Sequence, residues 1–219
     1  MSHDIRTPLS MILGYADRIA HSNEATGQIR EQADIICKQS VKIKGLIEDL
    51  NLASQLEYDM QPLNKETFSV SKLLRKISAD FINNGLPDRY TLNLEMDTTR
   101  QYMMNGDRGL IKRAIENLLH NSVNHNPDGC NINVVLSQKG DKISIVVADD
   151  GLGVSQDKLN NILNTPHYMN SKKNTKGLQH GMGLHLVRKI VLSHEGEINI
   201  SSENGKGFYV ELLFIAESN

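Results

Sequence analysis

Cysteine is scarce, and no hydrophobic run approaches the ~20 residues that a membrane-spanning helix needs. Cys37 and Cys130 are the two thiols in 219 residues, and neither belongs to a pair spaced for a metal. That excludes a disulfide framework and fits a reducing compartment. No block of basic residues stands out, and a formal net charge of −2 leaves no electrostatic footprint for nucleic acid. No signal peptide, internal repeat or low-complexity tract is visible. A Gly-x4-Gly-Lys-Ser/Thr phosphate loop and a His-Arg-Asp catalytic loop are both missing, which excludes two common nucleotide-enzyme architectures. The length suits one large domain or two small ones.

What is present begins with helical periodicity. Ile5, Leu9, Ile12, Ala16 and Ile19 alternate steps of four and three, which predicts a helix with one narrow apolar seam. His3, Thr7, Ser10 and Gly14 lie on another face. A loop at 21–24 follows, then a second helix of roughly thirty residues with Ile29, Ala33, Ile36, Ser40, Ile43, Ile47 and Leu50 on the same alternation. Two helices cannot close a core alone, so an antiparallel hairpin forming a homodimeric four-helix bundle is the expected solution. Pro62 makes continued helix costly and marks a linker. The expected divisions are a hairpin over 1–60, a linker over 61–66 and a second domain over 67–219.

The second domain alternates element types. Strands are expected at 67–70, 90–96 and 101–105, and helices at 71–83, with Ser71 as N-cap, and 107–124. A hairpin of 131–137 with 142–148 turns at Lys139-Gly140-Asp141. A helix at 184–193 precedes a last hairpin of 197–202 with 208–214. Helices between strands, with antiparallel hairpins, predict an α/β sandwich whose mixed sheet is covered on one face.

Several constellations carry chemistry. An imidazole attacks phosphorus when one nitrogen has a free lone pair, and the carboxylate of Asp4 beside His3 can hold the other nitrogen and help remove its proton. Pro8 crowds the carbonyl four residues back, so the helix is expected to bend or loosen near His3. Asn117, Asn121, Asn124 and His125 form a stripe on the 107–124 helix. Asparagine is a mediocre helix former, so three in nine residues requires a reason. Their amide oxygens suit Mg2+, a hard cation that takes only one or two protein ligands when phosphates supply the rest. Asp149 at a strand end can accept from an exocyclic amine, and Gly151 and Gly153 let backbone approach a flat ring. Gly181 and Gly183, followed by Leu184, open a helix whose first N–H groups can receive phosphate. The polar, cationic run between these glycine segments, 154–180, reads as a mobile lid. The remaining histidines lack metal spacing and read as surface or packing residues.

Ser2-His3-Asp4-Ile5-Arg6-Thr7-Pro8-Leu9 resembles the phospho-acceptor box of sensor histidine kinases. Glu116–Asn121 resembles their N box, Asp149–Gly153 the G1 box and Gly181–Val187 the G2 box, in the family's order along the chain. The fold implied is the helical hairpin followed by a GHKL, or Bergerat, ATP-binding α/β sandwich. The resemblance implies that His3 is autophosphorylated from ATP, with Asp4 as acid/base and Thr7 serving phosphatase action. It implies Mg2+ on Asn121 with Asn117 nearby, the adenine amine on Asp149, and transfer to an aspartate of a response regulator. Asn124 and His125 stand where the family often carries a lysine and an aromatic, Asp150 where it usually has Asn, and Phe208 where Thr is common. The stretch 159–163 takes the place of a Phe-containing box. We expect sensing and membrane-anchoring segments upstream of this cytoplasmic portion. The rival reading is a non-catalytic dimeric scaffold that binds nucleotide for conformation only. Whether a subunit phosphorylates itself or its partner depends on the loop near Ser22-Asn23, which the sequence leaves open.

Overall fold

The structure is a computed structural model that describes residues 2–22, 26–58, 60, 62–164 and 182–217. It divides into two compact units, Met1–Gln55 and Leu56–Asn219. The loop residues Asn23 and Glu24, Gln61 of the linker, Gly181 and most of the expected lid lie outside the described residues.

In the first unit, α1 runs Ser2–Ala20 and α2 runs Gly27–Glu57, 31 residues. The helix is unbroken from Ser2 through Pro8. Arg30 Nη2 donates to the Ser22 carbonyl at 3.1 Å and Cys37 Sγ lies 3.9 Å from the Leu13 carbonyl, so the chain folds back on itself. The apolar seam behaves as two half-seams. Leu9, Ala16, Ala33 and Ser40 are buried, whereas Ile12, Ile19, Ile29, Ile36, Ile43 and Leu50 stay 40–48% exposed. Leu9, Ala16, Ala33 and Ser40 close the hairpin, and the isoleucines and Leu50 do not.

In the second unit, β1 (Glu66–Ser69) pairs antiparallel with β3 (Met103–Gly106) as a separate ribbon. The main sheet has the order β2 (Tyr90–Met96), β4 (Cys130–Lys139), β5 (Lys142–Asp149), β7 (Phe208–Ile215), β6 (Glu197–Ser202). β2 is parallel to β4 and the other pairs are antiparallel. Alternate residues Ile132, Val134 and Leu136, Ile143, Ile145 and Val147, and Val210, Leu212 and Phe214 are at most 3% exposed. They form the core with the apolar faces of α3 (Val70–Asn83), α4 (Arg108–His125) and α6 (Met182–Ser193). The opposite face is polar: Asn93 Nδ2 donates to Asn133 Oδ1 at 3.0 Å, and the buried Glu211 carboxylate takes Lys139 and Ser144, each at 2.6 Å. Among the described residues no helix is long and apolar enough to cross a membrane.

Two helix starts differ from expectation. Ser69, not Ser71, caps α3: Ser69 is extended and its hydroxyl accepts from Lys72 N at 3.3 Å. Val70 is fully buried, so the helix begins at once where β1 ends, and Ser71 falls in its first turn. Asp107 is the cap of α4 rather than its first residue, its Oδ1 accepting from Leu110 N at 3.0 Å. The stretch 159–163 lies in α5 (Gln156–Asn164), with Leu159 buried.

Candidate functional site: a cavity beside α4

α4 enters the site from its fixed start. The buried His194, just past α6, accepts a hydrogen bond from Asp107 N on Nε2 at 2.9 Å, and its Nδ1 donates to the Ile190 carbonyl at 2.7 Å. Burial pushes the His194 imidazole below its ordinary value, against smaller raising effects of the Ile190 hydrogen bond and Asp107. At the far end of α4, Tyr90 Oη stands 2.9 Å from the carbonyl of Asn126, the C-cap, and donates to it. α4 is therefore anchored at both ends.

β5 delivers Asp149 to that second end. Its carboxylate collects three donors: Ser122 Oγ at 2.8 Å on Oδ2, and Asn126 Nδ2 at 3.2 Å and Gly151 N at 3.1 Å on Oδ1. Asn126 also donates to the Ser122 carbonyl at 2.8 Å and accepts from Leu152 N at 2.8 Å. A Cβ on Gly151 would lie 1.9 Å from Asn126 Oδ1, so the turn after Asp149 closes only with glycine there. Gly153 has φ +58, and a Cβ would meet the Glu203 carbonyl at 2.1 Å, which seats this segment on the β6–β7 turn. Asp150 points elsewhere. Its oxygens take Asn131 N at 2.7 Å and Asn131 Nδ2 at 2.6 Å, and these bonds hold its carboxyl below the usual range.

Beside Asp149 is a cavity of about 200 Å³. Leu118, Val147, Leu152, Leu184, Phe208 and Val210 supply apolar walls, and Asn121, His125 and Lys158 add polar groups. Of the residues singled out in the sequence, Asn121, His125, Asp149, Gly153 and Leu184 line it. Asn117 stands beside Gly183, where an added Cβ would lie 3.8 Å from its Cγ and 3.4 Å from Asn121 Oδ1. The Nδ2 of Asn117 is buried with no hydrogen-bond partner among the described residues. Asn124 does not join the group: it is exposed and outside the lining. His3, Asp4 and Thr7 lie in the first two turns of α1.

Sequence reading missed Ser122, Asn126 and Lys158. Ser122 and Asn126 are one turn apart, and that i, i+4 spacing was the available signal. Cys130 is chemically quiet: burial, then the Asp149 charge, pushes its thiol up to about 11. Among the described residues no group of three or more His, Cys, Asp or Glu could hold a metal.

Residues 106–218 match the family described as histidine kinase-, DNA gyrase B-, and HSP90-like ATPase, and residues 1–59 match the His Kinase A (phospho-acceptor) domain. The chain belongs to the sensor histidine kinase family. The sensor histidine kinase YvrG of Bacillus subtilis is 30% identical over 218 residues, 98% of this chain and 37% of that protein. The chain thus spans little more than a third of that histidine kinase. The crystal structure of full-length ShkA in complex with AMPPNP aligns with a TM-score of 0.73 at 20% identity, covering 100% of this chain and 45% of that one. The histidine kinase ThkA in complex with response regulator protein TrrA aligns with a TM-score of 0.68 at 20% identity, covering 99% and 59%. At these identities the structural likeness is one of fold. The two family matches leave 60–105 between them, which hold β1, α3, β2 and most of β3.

Proposed function

We propose that this chain phosphorylates itself on His3 from ATP and passes the phosphoryl group to an aspartate of a response regulator. The observation that carries the reading is the cavity beside Asp149, with the Asn117–Asn121 pair against Gly183, in a member of this family. The residues fit a triphosphate. The buried Asn117 Nδ2 has no acceptor among the described residues, a phosphate oxygen supplies one, and glycine at 183 leaves the space open. The start of α6 adds backbone N–H groups and the positive end of a helix.

The apolar walls accept a flat base, with Asp149 toward its exocyclic amine and Gly151 and Gly153 shaping the adjoining turn. Asn117, Asn121, His125, Gly181, Gly183 and Leu184 are the residues we assign to the phosphate side. Asn121 is the residue to hold Mg2+, which when bound offsets phosphate charge. One nitrogen of His3 attacks the γ-phosphorus as the bond to the ADP oxygen breaks, and Asp4 takes the proton from the ring. Thr7, one turn beyond His3, serves dephosphorylation of the regulator. Catalysis by the chain is positioning and charge neutralisation.

The division we propose is a phospho-acceptor hairpin over 1–60, a linker over 61–66 and a catalytic domain over 67–219. The exposed isoleucines of α1 and α2 support a homodimer in which a second copy covers them. We place the chain on the cytoplasmic side of a membrane-anchored receptor. Incubation with γ-labelled ATP should label the protein in an acid-labile, alkali-stable form, and His3→Gln and Asn121→Ala should abolish it while leaving the fold intact. Labelling that persists in His3→Gln rejects the assignment. Nucleotide binding without any labelling favours the scaffold reading instead.

A further inference from the structure

We infer that Ser122 and Asn126 are positioning residues that set the base specificity of the cavity, by leaving the Asp149 carboxylate one free acceptor site for a purine 6-amino group. This rests on the reading of the cavity as a nucleotide site. The resemblance to the family assigned neither residue a role.

An ionised carboxylate offers about four lone-pair sites. On Asp149, Oδ1 receives Asn126 Nδ2 and Gly151 N, and Oδ2 receives Ser122 Oγ. One site on Oδ2 is left. The donors are not interchangeable with water, because Ser122 and Asn126 are 5% and 4% exposed. Nor can the Asn126 amide be turned over. Its nitrogen faces two acceptors, the Ser122 carbonyl and Asp149 Oδ1, while its oxygen faces the N–H of Leu152. A flipped amide would set oxygen against oxygen twice and N–H against N–H once. The carboxylate is thus fixed in orientation and restricted to accepting. A 6-amino purine offers the matching donor. A 6-oxo purine brings a second acceptor against it, and a buried acceptor left facing an acceptor is costly.

Without the Ser122 hydroxyl, Oδ2 regains a second open lone pair and the carboxylate loses one of its three constraints. Discrimination then falls because the amine contact weakens, while a 6-oxo nucleotide, which gains nothing from the fixed carboxylate, binds no more weakly than before. A generally damaged pocket would weaken both nucleotides together.

The test is calorimetric titration of the full chain with ATP and with ITP, its 6-oxo analogue, each with Mg2+. The unaltered protein should bind ATP more tightly than ITP by roughly ten- to a hundred-fold, the range of one hydrogen bond to a charged group. Ser122→Ala should shrink that ratio by roughly three- to ten-fold through weaker ATP binding alone. Asn126→Ala should shrink it further, its folding checked by thermal melting. Ser122→Thr, which keeps the hydroxyl, should retain the ratio. An unchanged ratio in Ser122→Ala overturns the inference and leaves the nucleotide site standing. Failure of the unaltered protein to bind either nucleotide overturns the site and the inference with it.

Discussion

Gly183→Ala should stabilise the protein and weaken its hold on ATP at once. The built Cβ at this position lies 3.4 Å from Asn121 Oδ1, 3.6 Å from Asn121 Nδ2 and 3.8 Å from Asn117 Cγ, all ordinary van der Waals contacts. The methyl therefore fits the ligand-free protein without displacing backbone. Gly183 is the second residue of α6, and alanine in a helix is favoured over glycine by about 0.5–1 kcal/mol. For a chain of this size that gain corresponds to a rise in Tm of about 1–4 °C. The same methyl occupies the space between the α6 start and the two asparagines, where a phosphate would sit. Displacing a phosphate from one charge-assisted hydrogen bond costs about 1.5–3 kcal/mol, a loss of affinity of roughly ten- to a hundred-fold. Differential scanning fluorimetry without nucleotide reads the first effect, and calorimetric titration with ATP and Mg2+ reads the second. Unchanged ATP affinity in a protein that melts at the same or higher temperature would refute the placing of phosphate at Gly183.

Three further outcomes follow from particular contacts. His194 is held neutral, below its ordinary value near 6.5, so the unfolded chain takes up more protons as the medium acidifies. Its contribution is full above that value and is lost as pH falls through it toward the lowered one. Denaturation midpoints between pH 7.5 and 5.5 should fall less steeply in His194→Gln, a comparison that cancels the similarly lowered His120, and parallel slopes in the two proteins would count against the buried neutral imidazole. Gly151→Ala drives a Cβ to within 1.9 Å of Asn126 Oδ1, which should cost about 1–3 kcal/mol and lower Tm by several degrees; a melt indistinguishable from the unaltered protein contradicts the packing. Ile36→Asp with Ile43→Asp puts charges on the exposed half-seam, and light scattering should show the homodimer converted to monomer. A monomeric unaltered protein, or a dimer that survives both charges, rejects that face as the interface.

The fold was legible wherever one periodicity dominates. Tyr90, Leu92, Leu94 and Met96 alternate, and the strand they predict runs Tyr90–Met96. Gly140, with φ +63, sits between β4 and β5 where the Lys139-Gly140-Asp141 turn was expected. The parallel pairing of β2 with β4 was not legible, because strand order depends on how helices cross the sheet rather than on any local pattern. The α1 and α2 seams looked uniform in sequence, yet burial separates Leu9, Ala16, Ala33 and Ser40 from their isoleucine neighbours. At the site, Asp149 and Asn121 stood out because their residue types are unusual for their elements. Ser122 and Asn126 did not, since their partner lies 27 and 23 residues away and only tertiary structure supplies it.

The two anchors of α4 explain why this cavity holds its shape around an unpartnered donor. One end of the helix is tied through Asp107 to His194, which follows α6, and the other through Asn126 to the turn after β5. The cavity is lined by residues of α4, α5, α6, β5, β7 and that turn. Leaving Asn117 Nδ2 without a partner costs about 1–3 kcal/mol, and a loosely held helix would rotate to relieve it. Rotation of α4 would break the Asp107–His194 bond at one end and, at the other, the bonds of Asn126 to Asp149 and to Leu152, three hydrogen bonds against one. The unsatisfied donor is therefore retained in the ligand-free protein, and on the proposed reading its satisfaction would contribute to phosphate binding.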